Sequence, residues 1–159
     1  MSLAAALAGG CTEPLLPRPS DPCPEQQVDD GQAERVTFEL VNAERVQRSL
    51  PPFQWDDLLA DIARRYSRTL ADADLGLTHA NFSKRRNAAY MRLGVTRVAE
   101  NLALSCGDAQ SGPQLAVSAW LASPSHRAAL LKGFPISGIG VAQSHSGYLY
   151  ITELFAGPR

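Results

Sequence analysis

Apolar residues recur at spacings of three and four through much of the chain beyond residue 32. Ala33, Val36, Leu40, Val41, Ala43 and Val46 form one such stripe, which predicts a helix over residues 33–49. Glu34, Glu44, Arg45 and Arg48 lie off it, and Pro51-Pro52 ends it. Leu58, Leu59, Ile62, Ala63, Tyr66 and Leu70 predict a second helix over 56–74, with Asp57 and Asp61 at its positive end. A third is expected over 83–93, with Ser83 as cap and Gly94 as stop. A short apolar run follows at 98–105. A fourth helix is expected over 113–122, with Leu115, Ala119 and Trp120 facing inward. Ser123 and Pro124 then open a short helix that ends near Gly133. The period changes to two at the end. Strands over 139–144 and 148–155 flank His145-Ser146-Gly147, a three-residue hairpin loop. Helices first and an antiparallel hairpin last predict an α+β fold.

The beginning of the chain has a different composition. Five of the eleven prolines (Pro14, Pro17, Pro19, Pro22 and Pro24) fall in the first 24 residues, and Leu15, Leu16 and Val28 supply most of the aliphatic content between Cys11 and Gly31. Such a stretch reads as an extended linker, dividing the chain into a leader and linker over 1–31 and one domain over 32–159. An apolar run, small residues and then Cys11 resemble the end of a bacterial lipoprotein signal, which would lipidate Cys11 and tether the protein to the cell envelope. The plainer reading is a disordered leader with a chance cysteine. Lipidation of Cys11 would leave an even pair, Cys23 and Cys106, which an exported protein could join as a disulfide. Two unpaired thiols are the alternative.

Charge removes some classes of function. Fifteen Lys and Arg against sixteen Asp and Glu give a net charge of −1, which argues against a general nucleic-acid binder. No apolar run is long enough to cross a membrane as a helix. Membrane association is therefore expected only through a lipid on Cys11, and the protein is expected to be a monomer.

Three residues suggest chemistry. His126 falls in the first turn of its helix, where the dipole favours a neutral imidazole able to bind a metal or act as a base. His79 follows the second helix. Glu100 interrupts an apolar segment, where a carboxylate needs a partner. Two histidines and a carboxylate in one cleft would suit zinc or a similar divalent ion. Each also has a structural reading: His79 as a polar residue leaving a helix, His126 as part of a cap, Glu100 as a solvated strand residue. Ser123 reads as an N-cap rather than a nucleophile. His145 belongs to a turn, and Glu153 is a weaker candidate for the same cleft. No Gly-x-Ser-x-Gly elbow, phosphate loop or His-Glu-x-x-His occurs.

Several segments together resemble the CAP superfamily, which groups cysteine-rich secretory proteins, antigen 5 and pathogenesis-related proteins with bacterial SCP-like extracellular proteins. They are Leu40-Val41-Asn42-Ala43-Glu44-Arg45, residues 50–57, Thr78-His79, Ala99-Glu100-Asn101-Leu102, residues 119–127 and Gly138-Ile139-Gly140-Val141, in the family's order. The match is best to the bacterial branch. The resemblance implies an α-β-α sandwich, with a three-stranded antiparallel sheet between helical layers and residues 98–104 as its third strand. It also implies a cleft lined by two His and two Glu. His79, Glu100 and His126 match three of these, and Ser123 stands where the eukaryotic pattern has the second Glu. In the family the paired histidines can hold zinc or another divalent ion, some eukaryotic members bind sterols or other lipids, and no general enzymatic activity is established.

Two readings follow. One is an envelope-tethered or secreted binding module, whose His79/His126/Glu100 cleft takes a divalent metal and an extracellular ligand such as a lipid, glycan or peptide. The other is a metal-dependent hydrolase, with Glu100 and the histidines activating water.

Overall fold

The computed structural model describes residues 16–17, 21–24 and 26–158. Cys11 lies outside them. In chain order the elements are β1 (Leu16–Pro17), α1 (Asp30–Gln47), β2 (Gln54–Trp55), α2 (Asp57–Ala73), β3 (Gly76–Leu77), α3 (Phe82–Leu93), β4 (Arg97–Ser105), α4 (Ser111–Ala122), α5 (Pro124–Leu131), β5 (Ile136–Gln143) and β6 (Leu149–Gly157). The main sheet runs β2-β5-β6-β4, and β1 pairs with β3 in a separate two-stranded ribbon. The α+β class and the three antiparallel strands match expectation. The fourth strand, β2, does not: it runs parallel to β5 for two residues, Gln54 beside Ile136 and Trp55 beside Ser137. Pro51-Pro52 ends α1 as expected, and the extended chain after it reaches the free edge of β5, where the Gln54 and Asp56 amides donate to Pro135 and Ser137.

Strand alternation separates the two faces of the sheet. Leu102, Ala142, Tyr150 and Leu154 pack toward α2 and α3. Ala103, Ile139, Val141, Ile151 and Phe155 pack toward α1, α4 and α5, around Trp120, Phe53 and Leu130. Gly138 and Gly140 make the first contact possible. A Cβ on Gly138 would lie 2.2 Å from the Ala60 nitrogen, and one on Gly140 2.1 Å from the Arg64 nitrogen, so α2 rests directly on the β5 backbone.

Several helical faces differ from the simple stripe. Asp29 and Asp56 cap α1 and α2 through their side chains. The first turn of α3 begins after Asn81, in a left-handed conformation with no side-chain cap, and Ser83 lies inside the helix. On α4 the inward face is Pro113, Ala116, Val117 and Trp120, whereas Leu115 is exposed. On α1, Glu34 and Arg45 are buried, although both lie off the apolar stripe. Arg45 reaches across α5, donating to the Leu130 and Lys132 carbonyls and to Pro51, and thereby satisfies a helix end that would otherwise lack donors. Glu34 accepts from the Val141 amide on the edge of β5 beyond the short β2 and is gripped by Arg64 from α2. The burial of each charge is thus accounted for by a partner on another element.

The segment before α1 is held against the hairpin. Cys23 and Cys106 form a disulfide, the Cys23 amide donates to the Ser146 carbonyl, and Val28 and Gln26 bond the Gln143 side chain.

Candidate functional site at the edge of the sheet

β4 is an edge strand, and Glu100 sits near its centre facing α2 and α3. Its side chain is 1% exposed, so its charge needs partners inside the protein. Two elements supply them. From α3, Arg85 donates through Nε to Oε2 at 2.5 Å and through Nη2 to Oε1 at 2.7 Å. From the turn between β3 and α3, His79 Nδ1 lies 2.8 Å from Oε1. A bidentate guanidinium is the geometry that matches a planar carboxylate.

The same arginine fixes the turn that carries His79. Its Nη1 donates to the Ala80 carbonyl at 2.8 Å, and its guanidinium lies 3.3 Å from the centre of the Tyr66 ring. Burial pushes the Tyr66 phenol above its ordinary range, against the pull of the Arg85 charge. The phenol keeps its proton and donates to the Thr78 carbonyl, next to His79. A short turn then forms as the Ala80 amide bonds Thr78 Oγ1.

His126 approaches β4 from the other layer. It occupies the first turn of α5, and its carbonyl accepts from Asn101 Nδ2 at 3.1 Å. Asn101 follows Glu100 on β4 and points to the opposite face. The two histidine-bearing segments are therefore anchored to adjacent residues of one edge strand, His79 through a side chain and His126 through its backbone. Ser123 precedes α5 at the N-cap position, but its hydroxyl does not cap the helix and lies 3.3 Å from Ser125 Oγ instead. Glu153 sits on the α1 face of β6, fully buried in the core, away from the face that carries Glu100. Its Oε1 accepts from Ser137 at 2.7 Å, and its Oε2 has no hydrogen-bond partner among the described residues. Burial raises its pKa to about 8. His145 is exposed in the hairpin turn.

Arg85 and Tyr66 complete this arrangement, and no sequence motif marks either as a site residue. The available signal for Arg85 was its place on the α3 stripe Phe82, Arg85, Ala89 and Leu93, where an apolar residue is expected.

The donor set limits how a metal could be held. Among the described residues no three His, Cys, Asp or Glu side chains stand together as a metal site. Both oxygens of Glu100 are committed to Arg85, which suits it to orient a ligand rather than to be one. His79 uses Nδ1 toward Glu100 and leaves Nε2 for another partner. That is the carboxylate–histidine arrangement found behind metal-bound imidazoles.

The profile of CAP, the cysteine-rich secretory protein family, matches residues 38–155. No curated protein sequence matches the chain closely. Among solved structures, an outer surface protein of Borrelia burgdorferi superposes with a TM-score of 0.70 at 21% identity, over 84% of this chain and 98% of that one. An extracellular SCP-domain protein of Bacillus anthracis gives 0.67 at 25% identity, over 80% of this chain and 41% of that one. A cysteine-rich secretory protein of Staphylococcus aureus gives 0.65 at 20% identity, over 84% and 41%. The chain thus spans about two fifths of the Bacillus and Staphylococcus proteins. No described helix is long and apolar enough to cross a membrane. With three quarters of its length matched in register by one profile, and the fold shared with bacterial surface proteins, the chain belongs to the CAP family of extracellular proteins.

Proposed function

We propose that the protein is an exported binding module, secreted or held at the cell envelope through Cys11, and that the β4 edge site recognises an extracellular ligand. The observation that carries this reading is the Arg85–Glu100–His79 chain, in which a buried carboxylate is fully engaged and one imidazole is held in a fixed orientation. Such a site is organised before any ligand arrives, which favours recognition.

A divalent ion, zinc by preference, would be held by His79 Nε2 and His126, with Glu100 orienting His79 from behind. The ion would supply open coordination positions for an oxygen or nitrogen of the ligand. Binding would weaken with acidity, because imidazoles must be neutral to coordinate. Hydrolysis is the weaker reading, since a carboxylate whose oxygens are both held by a guanidinium is poorly placed to take a proton from water. Turnover of an ester or peptide substrate that vanishes in Glu100→Gln would revive it. Calorimetric zinc titration of the wild type and of His79→Ala/His126→Ala tests the metal. Heat released by the wild type alone is the expected result, and identical heats remove the metal from the proposal.

A further inference from the structure

We propose that the groove between α2 and α3, which adjoins the β4 edge site through Tyr66 and Arg85, binds an acidic polysaccharide. It has a volume of about 480 Å³, and four cationic side chains line it: Arg65, Lys84, Arg85 and Arg92. No carboxylate of the described residues lines it. Arg85 is neutralised from behind by Glu100, but Arg65, Lys84 and Arg92 have no carboxylate within ion-pair distance among the described residues. This concentration of positive charge stands in a chain of net charge −1, so it is not the local sample of a generally basic surface.

Spacing selects a polymer over a small ion. Lys84, Ala88 and Arg92 follow one another at intervals of four on α3, which puts the Cα atoms of the two cationic residues about 12 Å apart along the groove. Arg65 faces them from α2. Charges spread over two turns of one helix and a facing helix match a chain with a negative charge on successive units better than a single phosphate or sulfate. Ile62 and Ala88 provide apolar lining against which the C–H faces of sugar rings can pack. Nucleic acid fits less well. Tyr66 is the one aromatic side chain among the described residues that line the groove; it packs against the core, Arg85 covers one face of its ring and Thr78 takes its hydroxyl, which leaves little of it for a base to stack on. A member of a family of extracellular proteins would meet such a polymer outside the cell.

The site stands whether or not the two histidines hold a metal. The test uses the full chain with dextran sulfate, neutral dextran and single-stranded DNA as probes, in the presence of a chelator. The wild type is expected to bind dextran sulfate, with an affinity that falls steeply with salt, and to ignore neutral dextran. R65E/K84E/R92E changes exposed positions only and is expected to weaken binding by about tenfold or more and to flatten the salt dependence. R35E/R127E/K132E changes the net charge equally at exposed positions off the groove and should bind like the wild type. Equal losses in both triple variants would make the effect one of net charge and overturn the site. So would unchanged binding in R65E/K84E/R92E, no binding by the wild type, or tighter binding to DNA than to dextran sulfate. Matching thermal melts show that each variant is folded. H79A/H126A should retain polymer binding, which separates this proposal from the metal site.

Discussion

Arg85 of α3 and Glu100 of β4 meet through two hydrogen bonds, at 2.5 and 2.7 Å, with both side chains at least nine-tenths buried. The pair joins the helical layer to the edge strand, and His79 reaches Oε1 of the same carboxylate.

Removing the arginine alone strands a buried carboxylate. Arg85→Ala is expected to destabilise the fold by about 3–5 kcal/mol. Arg85→Leu/Glu100→Leu, which removes both charges, should recover much of that loss while releasing His79. Urea unfolding of the two variants checks this, and a double variant less stable than Arg85→Ala would contradict it.

Glu153 makes stability depend on pH. Its pKa rises from 4.5 to about 8, chiefly because burial penalises the charged form, against the Ser137 hydrogen bond and the attraction of Arg45. The folded chain then holds a proton that the unfolded chain releases above pH 4.5. This contribution to stability is complete at acid pH, declines as pH rises, and is lost through about pH 8. Glu153→Gln should flatten the profile and be the more stable protein at alkaline pH, by an amount on the order of a few kcal/mol. Denaturant midpoints collected from pH 5 to 9 give the comparison.

The Cys23–Cys106 bridge closes a loop between residues 83 apart in sequence. In the chain-entropy view its removal costs up to roughly 4–5 kcal/mol. Cys23→Ser/Cys106→Ser should melt well below the wild type, and reductant should lower the wild-type melting temperature without moving that of the variant. A variant as stable as the wild type would show that the hydrogen bonds to the hairpin suffice.

Gly140 has no room for even one methyl group, because α2 backbone lies where it would go. Gly140→Ala should destabilise at or beyond the upper end of the about 1–3 kcal/mol usual for overpacking. Gly133→Ala, at a position with open space around it, serves as the control. Similar melts for the two would refute the close-packing account.

Helix and strand identities were legible in the chain because they rest on local periodicity and on end signals such as Pro51-Pro52, Pro124 and Gly94. Their ends were less so: α1 starts three residues earlier than the stripe suggests, where Asp29 caps it. The same local signals marked His79, Glu100 and His126 as polar residues in telling places, and pairing by parity anticipated the disulfide. They could not show that Glu100 would be neutralised by Arg85, since those residues are 15 apart and their contact depends on how α3 packs against β4. Nor could they show that the Ser123 hydroxyl leaves its helix uncapped, that Glu34 and Arg45 are drawn inward by unpaired backbone groups elsewhere, or that a two-residue strand completes the sheet. Periodicity reports which side of an element faces inward. Which charge meets which is set by long-range contacts, and those exist only once the layers have closed.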